Sequence, residues 1–206
     1  MSLYGRFFAA IYDRMLESTE RAGLADGRHK LLAEARGRVL EIGAGTGRNL
    51  EHYPEGLDRL VLTEPEEPMA KRLEAKLSGL GRTAEVVRAP AESLPFEDSS
   101  FDTVVSTLVL CTVDDPRRTL AEIERVLSPG GALLFLEHVR SDDPGLARWQ
   151  DRLNGIWGRI GHGCNCNRPT PDLIGSALEI ERIEHGELPK SPPIVRPLAS
   201  GRALAP

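Results

Sequence analysis

The sequence predicts an α/β domain: a mostly parallel seven-stranded sheet with helices on both faces and a C-terminal antiparallel hairpin. Three observations carry this. Short apolar runs alternate with segments of helical spacing through most of the chain, the pattern of strands joined by crossover helices. The first apolar run, Val39-Leu40-Glu41-Ile42, ends at three glycines at every second position, Gly43, Gly45 and Gly47. The last thirty or so residues hold two extended stretches, about 178–187 and 194–204, separated by the proline-rich Pro189, Pro192 and Pro193.

The elements follow in order. Residues 3–16 place Leu3, Phe7, Ala10, Ile11 and Leu16 near helical spacing, and a second helix spans roughly 18–35. Val39 to Ile42 is a buried parallel strand, the glycines form a tight turn, and Arg48 to His52 continue as a helix-like segment. Strand two covers 58–63, and Pro68 behind Glu66 and Glu67 opens the next helix. Strand three is Ala84 to Arg88, and strand four begins at Phe101. Asp115-Pro116 reads as N-cap and first turn of a helix to Leu127; Ser128–Gly131 is a turn and Ala132 to Glu137 strand five. Asp143-Pro144 opens a third capped helix to residue 160, followed by a glycine-cysteine loop at 161–168. Trp149 and Trp157 are expected to share a face of that helix, either in the core or as a roof over a pocket.

The bulk numbers narrow the function. A chain of 206 residues makes one domain with a real core. It divides into a helical cap (1–35), a cofactor-binding core (37–137) and an acceptor-side helix, loop and hairpin (138–206). A net charge of −5 with no basic block argues against a nucleic-acid partner. Three cysteines, only Cys164 and Cys166 close together, fit a reducing compartment, and no run reaches the length of a membrane span. The expectation is a cytoplasmic protein with no stable membrane insertion; nothing in the sequence bears on oligomeric state.

The glycine spacing discriminates between cofactors. A dinucleotide fingerprint is G-x-G-x-x-G; here the pattern is G-x-G-x-G, and Arg48 stands in the third-glycine slot. Glu41, two residues before Gly43, would repel a pyrophosphate and suit a cationic ligand. Glu64, 19 residues beyond Gly45, ends the run Leu60-Val61-Leu62, where a carboxylate can accept both hydroxyls of a ribose. An adenosine bearing a sulfonium and no phosphate meets these requirements.

The string Val39-Leu-Glu-Ile-Gly-Ala-Gly-Thr-Gly47 resembles motif I of the class I S-adenosylmethionine-dependent methyltransferases, which have a Rossmann-like fold. The resemblance implies S-adenosyl-L-methionine as cofactor, bound by Glu41, Gly43, Ala44, Gly45, Thr46, Gly47, Glu64, Pro65, Ala91, Glu92, Thr107 and Leu108. Pro90 stands where many members have aspartate, leaving adenine contact to Ala91 and Glu92. Thr107–Val113, Arg125–Ala132, Glu137-His138-Val139, Gly163-Cys164-Asn165 with Arg168, and Val195-Arg196-Pro197 are similar to the methyltransferase-like thiol S-methyltransferases. Ubiquinone/menaquinone and phospholipid methyltransferases are neighbours of that group. The start of the chain departs from the thiol enzymes in lacking their long apolar anchoring segment. The aromatic residues Tyr4, Phe7, Phe8 and Tyr12 belong either to an outer helix or to a lid over the cofactor.

The slot after strand four, Thr107-Leu108-Val109-Leu110, has neither the prolines nor the aromatic that grip a planar amine. The expected reaction is therefore methyl transfer to a small, largely apolar acceptor: a thiol, a quinol or a lipid amine. His138 is the candidate base, or a histidine held in a turn, with Glu137 orienting it or lining the cofactor pocket. A thiol acceptor can dispense with a base, because its thiolate forms near neutral pH. His162, Cys164 and Cys166 offer only three ligands where structural zinc takes four, so no metal is expected, and Cys111 is assigned to the core. The competing readings are a non-catalytic cofactor-binding subunit and a nicotinamide-dependent oxidoreductase.

Overall fold

The computed structural model describes residues 12–14 and 16–206; the expected helix at 3–16, and with it Tyr4, Phe7 and Phe8, lies largely outside them. Residues 12–14 and 16–19 are helical and run through a π-helical turn, Glu20–Leu24, into α1 (Ala25–Leu32). The single helix expected over 18–35 is thus interrupted. Gly23, at φ 133°, leaves the helical region, which a residue without Cβ does at little cost.

The seven strands are β1 (Arg38–Ile42), β2 (Arg59–Thr63), β3 (Glu85–Val87), β4 (Phe101–Thr107), β5 (Leu127–His138), β6 (Glu179–Glu187) and β7 (Pro197–Leu204). They form one sheet in the order β3-β2-β1-β4-β5-β7-β6. The first five are parallel, and β7 inserts antiparallel between β5 and β6. The order reverses at β1, between β2 and β4. Ligands in open α/β sheets gather at the carboxyl ends of strands flanking such a switch point.

Helices cover both faces, and the alternation of side chains along each strand sorts the core accordingly. Leu40, Ile42, Val104, Leu133 and Phe135 pack on one face with Leu120 and Ile123 of α3 (Pro116–Val126). Val39, Leu62, Val105, Leu134 and Leu136 pack on the other with Leu31 and Leu32 of α1 and Leu73 of α2 (Glu67–Leu80). Asp115 caps α3 by accepting from the amides of Arg117 and Arg118. Asp143 caps α4 (Pro144–Ile160) by accepting from the Leu146 amide at 2.7 Å.

Two boundaries and one helix differ from expectation. The Ser128–Gly131 turn is drawn into β5 as an irregularity: the register with β4 jumps from Phe101↔Leu127 to Thr103↔Ala132. Residues 193–195 form a 3₁₀ turn, so β7 starts at Pro197 rather than 194. A short helix, α5 (Thr170–Gly175), went unrecognised because one and a half turns leave too few positions for periodicity to register.

Candidate active site

The glycine turn has the conformation its composition demands. Gly43, Gly45 and Gly47 have φ of 56°, 58° and 81°, all in the left-handed region. Residues 48–52 do not form the expected helix. The segment is a series of turns closed by Gly47 N–H to Ala44 O, Leu50 N–H to Gly47 O and His52 N–H to Asn49 O, each spanning three residues. Side chains beneath, rather than a regular helix, hold the turn. Asn49 donates to Glu41 Oε1 at 2.9 Å and to Thr107 Oγ1 at 2.9 Å, and Tyr53 OH donates to Glu41 Oε2 at 2.7 Å. Arg28 from α1 donates to Asn49 Oδ1, Thr107 Oγ1 and Glu20. All six residues are buried. Burial pushes the Glu41 pKa up to about 7, against the lowering effect of Tyr53 and Asn49.

Glu64 follows β2 at the cavity edge. Its Oε2 accepts from the Gly45 amide at 2.9 Å and its Oε1 from the Glu66 amide at 2.8 Å. Burial raises its pKa, while these two amides pull it down. Each carboxylate oxygen keeps a further lone pair for a ligand hydroxyl.

A cavity of about 460 Å³ opens over the carboxyl ends of the strands. Gly43, Gly45, Glu64, Pro65, Ala91, Glu92 and Leu108 line it, as does His138. Glu41, Ala44, Thr46, Gly47 and Thr107 do not; they hold the turn from below. The Ala44 amide donates to Thr63 O at 2.8 Å, and Thr46 Oγ1 donates to Asp13 Oδ1 at 2.6 Å. A Cβ on Gly47 would lie 2.8 Å from Leu50 and Leu73. Glu92 Oε1 accepts from the Asp114 amide at 3.0 Å, tying the adenine-side loop to the loop after β4.

Val109, Val113, Trp157 and Ile160 give the cavity an apolar wall. Tyr12 and Leu16 complete its lining from the N-terminal helical residues, and Asp13 accepts from Arg48 Nε at 2.8 Å to fasten that segment to the glycine turn. Trp149 is 56 % exposed and outside the cavity. Eight residues at about 100° each leave the two tryptophans roughly 80° apart, so they do not share a face.

Glu137 neither orients His138 nor lines the cofactor end. It is fully buried and accepts from Ser106 Oγ at 2.6 Å and from the amides of Val109, Leu110 and Cys111 at 3.0, 3.0 and 3.2 Å. Those three amides open the turn after β4, where Leu108 adopts φ 60°, a strained value for a branched side chain. Glu137 thereby fixes the loop that carries Cys111.

Cys111 is not merely core. Its Sγ lies 3.9 Å from Cys164 Sγ and 3.8 Å from His138 Nδ1, and Cys164 Sγ lies 3.4 Å from the same nitrogen. All three are buried and line the cavity. The Cys111 thiol, and after it His138, hold the Cys164 pKa well below the ordinary thiol value, and Cys111 is pushed up in turn. The sequence grouping of His162, Cys164 and Cys166 does not form: His162 Nε2 pairs with Glu66 Oε1 at 2.6 Å, and Cys166 lies against Asn154 at 3.7 Å. Residues 111, 138 and 164 sit 27 and 26 positions apart on three different segments, a spacing with no local signature.

The chain is similar to proteins of one family. A family model described as a methyltransferase domain matches residues 40–135, from β1 to β5. The thiol S-methyltransferase TMT1B of Homo sapiens is 34% identical over 194 residues, 92% of this chain and 77% of that protein. The phosphatidylethanolamine N-methyltransferase of Cereibacter sphaeroides is 34% identical over 118 residues, covering 57% of this chain and 58% of that protein. An S-adenosylmethionine-dependent methyltransferase of Mesorhizobium loti superposes with a TM-score of 0.66 at 19% identity, covering 87% of this chain and 96% of that one, a likeness of fold. Among the described residues no helix is long and apolar enough to cross a membrane. The residues present also fit the cofactor these relatives use: a Cβ on Gly45 would meet nothing within 4 Å, so the backbone lies open to the cavity, with the Glu64 carboxylate bonded to it. The chain belongs to the S-adenosylmethionine-dependent methyltransferases.

Proposed function

We propose that this enzyme methylates a small apolar thiol. The observation that carries the reading is one cavity lined both by the glycine turn and Glu64 and by the apolar side chains of Val109, Val113, Trp157 and Ile160. The similarity to thiol S-methyltransferase TMT1B over most of both chains supports it. The bound cofactor supplies an electrophilic methyl on a sulfonium, open to in-line displacement. Glu64 would accept the ribose hydroxyls, Gly43 and Gly45 would let the backbone approach, and Ala91 and Glu92 would flank the adenine. Val109, Val113 and Trp157 desolvate the acceptor and hold it within near-attack distance, where positioning alone contributes much of the rate.

A thiol also suits the state of His138. Its Nδ1 faces two sulfurs rather than open cavity, and a thiolate needs no base in the transfer step. The test is incubation of the purified chain with radiolabelled S-adenosylmethionine and matched panels of aryl and alkyl thiols, quinols and lipid amines. Label should pass to the thiols and be extracted as thioether. Transfer to phosphatidylethanolamine or a quinol with none to any thiol would overturn the reading.

A further inference from the structure

We propose that Cys111, His138 and Cys164 form a zinc site whose open fourth position takes the acceptor's sulfur as a thiolate, an inference that rests on the thiol-methylating reading above.

The geometry is the first ground. Tetrahedral zinc with Zn–S of about 2.3 Å and Zn–N of about 2.0–2.1 Å sets its ligand atoms about 3.8 Å apart for sulfur to sulfur and about 3.5–3.6 Å for sulfur to nitrogen. The observed separations are 3.9 Å between the sulfurs and 3.4 and 3.8 Å from them to Nδ1. The three donor atoms therefore mark out one face of such a tetrahedron.

The composition of the shell is the second ground. Two thiolates and one imidazole make a soft, borderline set that suits zinc, and sets of three protein ligands with an open position belong to catalytic rather than structural zinc. With Nδ1 as ligand the His138 proton resides on Nε2, a buried atom that has no hydrogen-bond partner among the described residues.

The third ground is position. All three ligands line the cavity that also holds Gly43, Gly45 and Glu64, so an incoming acceptor reaches the open position and the methyl donor together. Two thiolates cancel the charge of the metal. Binding of a thiol releases its proton to water and leaves a site of net charge −1, in which the bound sulfur stays nucleophilic. That sulfur uses a lone pair to form the new S–C bond, and the electron pair of the breaking methyl–sulfonium bond departs with the donor's sulfur. The neutral thioether product is a weak ligand and leaves.

The test uses the full chain, kept reduced, equilibrated with zinc and freed of excess metal. Elemental analysis should find about one zinc per chain, with X-ray absorption showing two sulfurs and at least one nitrogen. The Cys111→Ser/Cys164→Ser double variant should lose it, and Cys166→Ser should retain it. Circular dichroism checks that both are folded; should the double variant not fold, the absorption spectrum of the unaltered chain decides the ligands. Cobalt in place of zinc should give visible tetrahedral bands with sulfur charge transfer, and thiophenol should shift them where thioanisole does not. No stoichiometric zinc, a Cys111–Cys164 disulfide in its place, or full zinc retention by the folded double variant would overturn the site. Cobalt bands indifferent to thiophenol would overturn the role of the fourth position. Thiol methylation by metal-free protein would sink this inference and leave the proposed function standing. Zinc that binds thiophenol without any thiol being methylated would overturn the proposed function and the acceptor role of the fourth position, and leave only the metal site standing.

Discussion

The two ends of the cavity are built on opposite principles. The cofactor end is largely local: ten consecutive residues, 38–47, supply strand and turn, and Glu64 joins them from the neighbouring strand. The part proposed for the acceptor is convergent, drawing Cys111 from the loop after β4, His138 from the end of β5, Trp157 from α4 and Cys164 from the loop beyond it. Each end rests on one buried glutamate. Glu41 lies on the α1–α2 face and gathers side-chain donors; Glu137 gathers three backbone amides and a serine. A scaffold of side chains leaves the backbone of the glycine turn open to a ligand. A scaffold of backbone bonds fixes a loop whose side chains are then the reactive part.

Breaking the second scaffold should have the largest effect. Glu137→Ala strands the amides of Val109, Leu110 and Cys111 in the interior, and each buried unpaired donor costs about 1–3 kcal/mol. Urea unfolding should show a loss of at least about 3 kcal/mol, with Glu137→Gln recovering part of it. A loss within experimental error would mean that water or a rearranged loop satisfies those amides.

The Glu41 scaffold should show itself through pH instead. Below pH 4.5 both folded and unfolded chains hold this proton, and its contribution to stability does not vary. Between 4.5 and about 7 the unfolded chain releases it while the folded chain keeps it, so stability falls as pH rises, by about 3 kcal/mol in all. Above that window the penalty is constant. Glu41→Gln should remove this slope, which denaturant titrations at pH 5 and pH 7.5 on both proteins would detect. An unchanged difference between the two pH values would show that Glu41 ionises freely in the fold.

Glu64→Ala tests the cofactor end directly. Losing charge-assisted ribose bonds should weaken S-adenosylhomocysteine binding by ~1.5–3 kcal/mol in calorimetry, with little change in zinc content. An equal loss of both would mean that the two ends are not separable.

The difference in construction also explains what the sequence disclosed. The fold was legible because strand alternation and capped helices are local signals, as at Asp115-Pro116 and Asp143-Pro144. The positive-φ turn was legible because only glycine takes such angles freely. Glu41 was placed in the cofactor's path from its nearness in sequence, but strand alternation points its side chain to the opposite task, toward Asn49 and Tyr53. Arg28, 79 residues from Thr107, left no trace in spacing, and neither did the Cys111–His138–Cys164 cluster. His162, Cys164 and Cys166 attracted a metal reading because they are neighbours in the chain. The residues that meet in space come from the β4–β5 connection, the end of β5 and the loop after α4, and only the tertiary fold brings them together.

The sharpest paired comparison lies within the glycine turn itself, which touches Val109 on the other side of the cavity. Gly43 and Gly45 have nearly the same φ, so an alanine at either position carries a similar backbone strain of about 1–2 kcal/mol. Their surroundings differ. A Cβ on Gly43 would fall 2.8 Å from Val109 Cγ2, and since Glu137 pins the Val109 amide, that side chain has little freedom to retreat. Gly43→Ala should therefore lose a further ~1–3 kcal/mol of stability from overpacking and disturb the acceptor end as well. A Cβ on Gly45 meets no protein atom within 4 Å, because the space beside it is the cavity. Gly45→Ala should cost only the strain in stability and express its damage as weakened cofactor binding, tenfold or more in Kd, about 1.4 kcal/mol. Thermal denaturation and calorimetry on the pair separate the two terms. Equal stabilities with equal cofactor affinities would mean that the turn is soft enough to move away from Val109, and that the two ends are less rigidly joined than the contact implies.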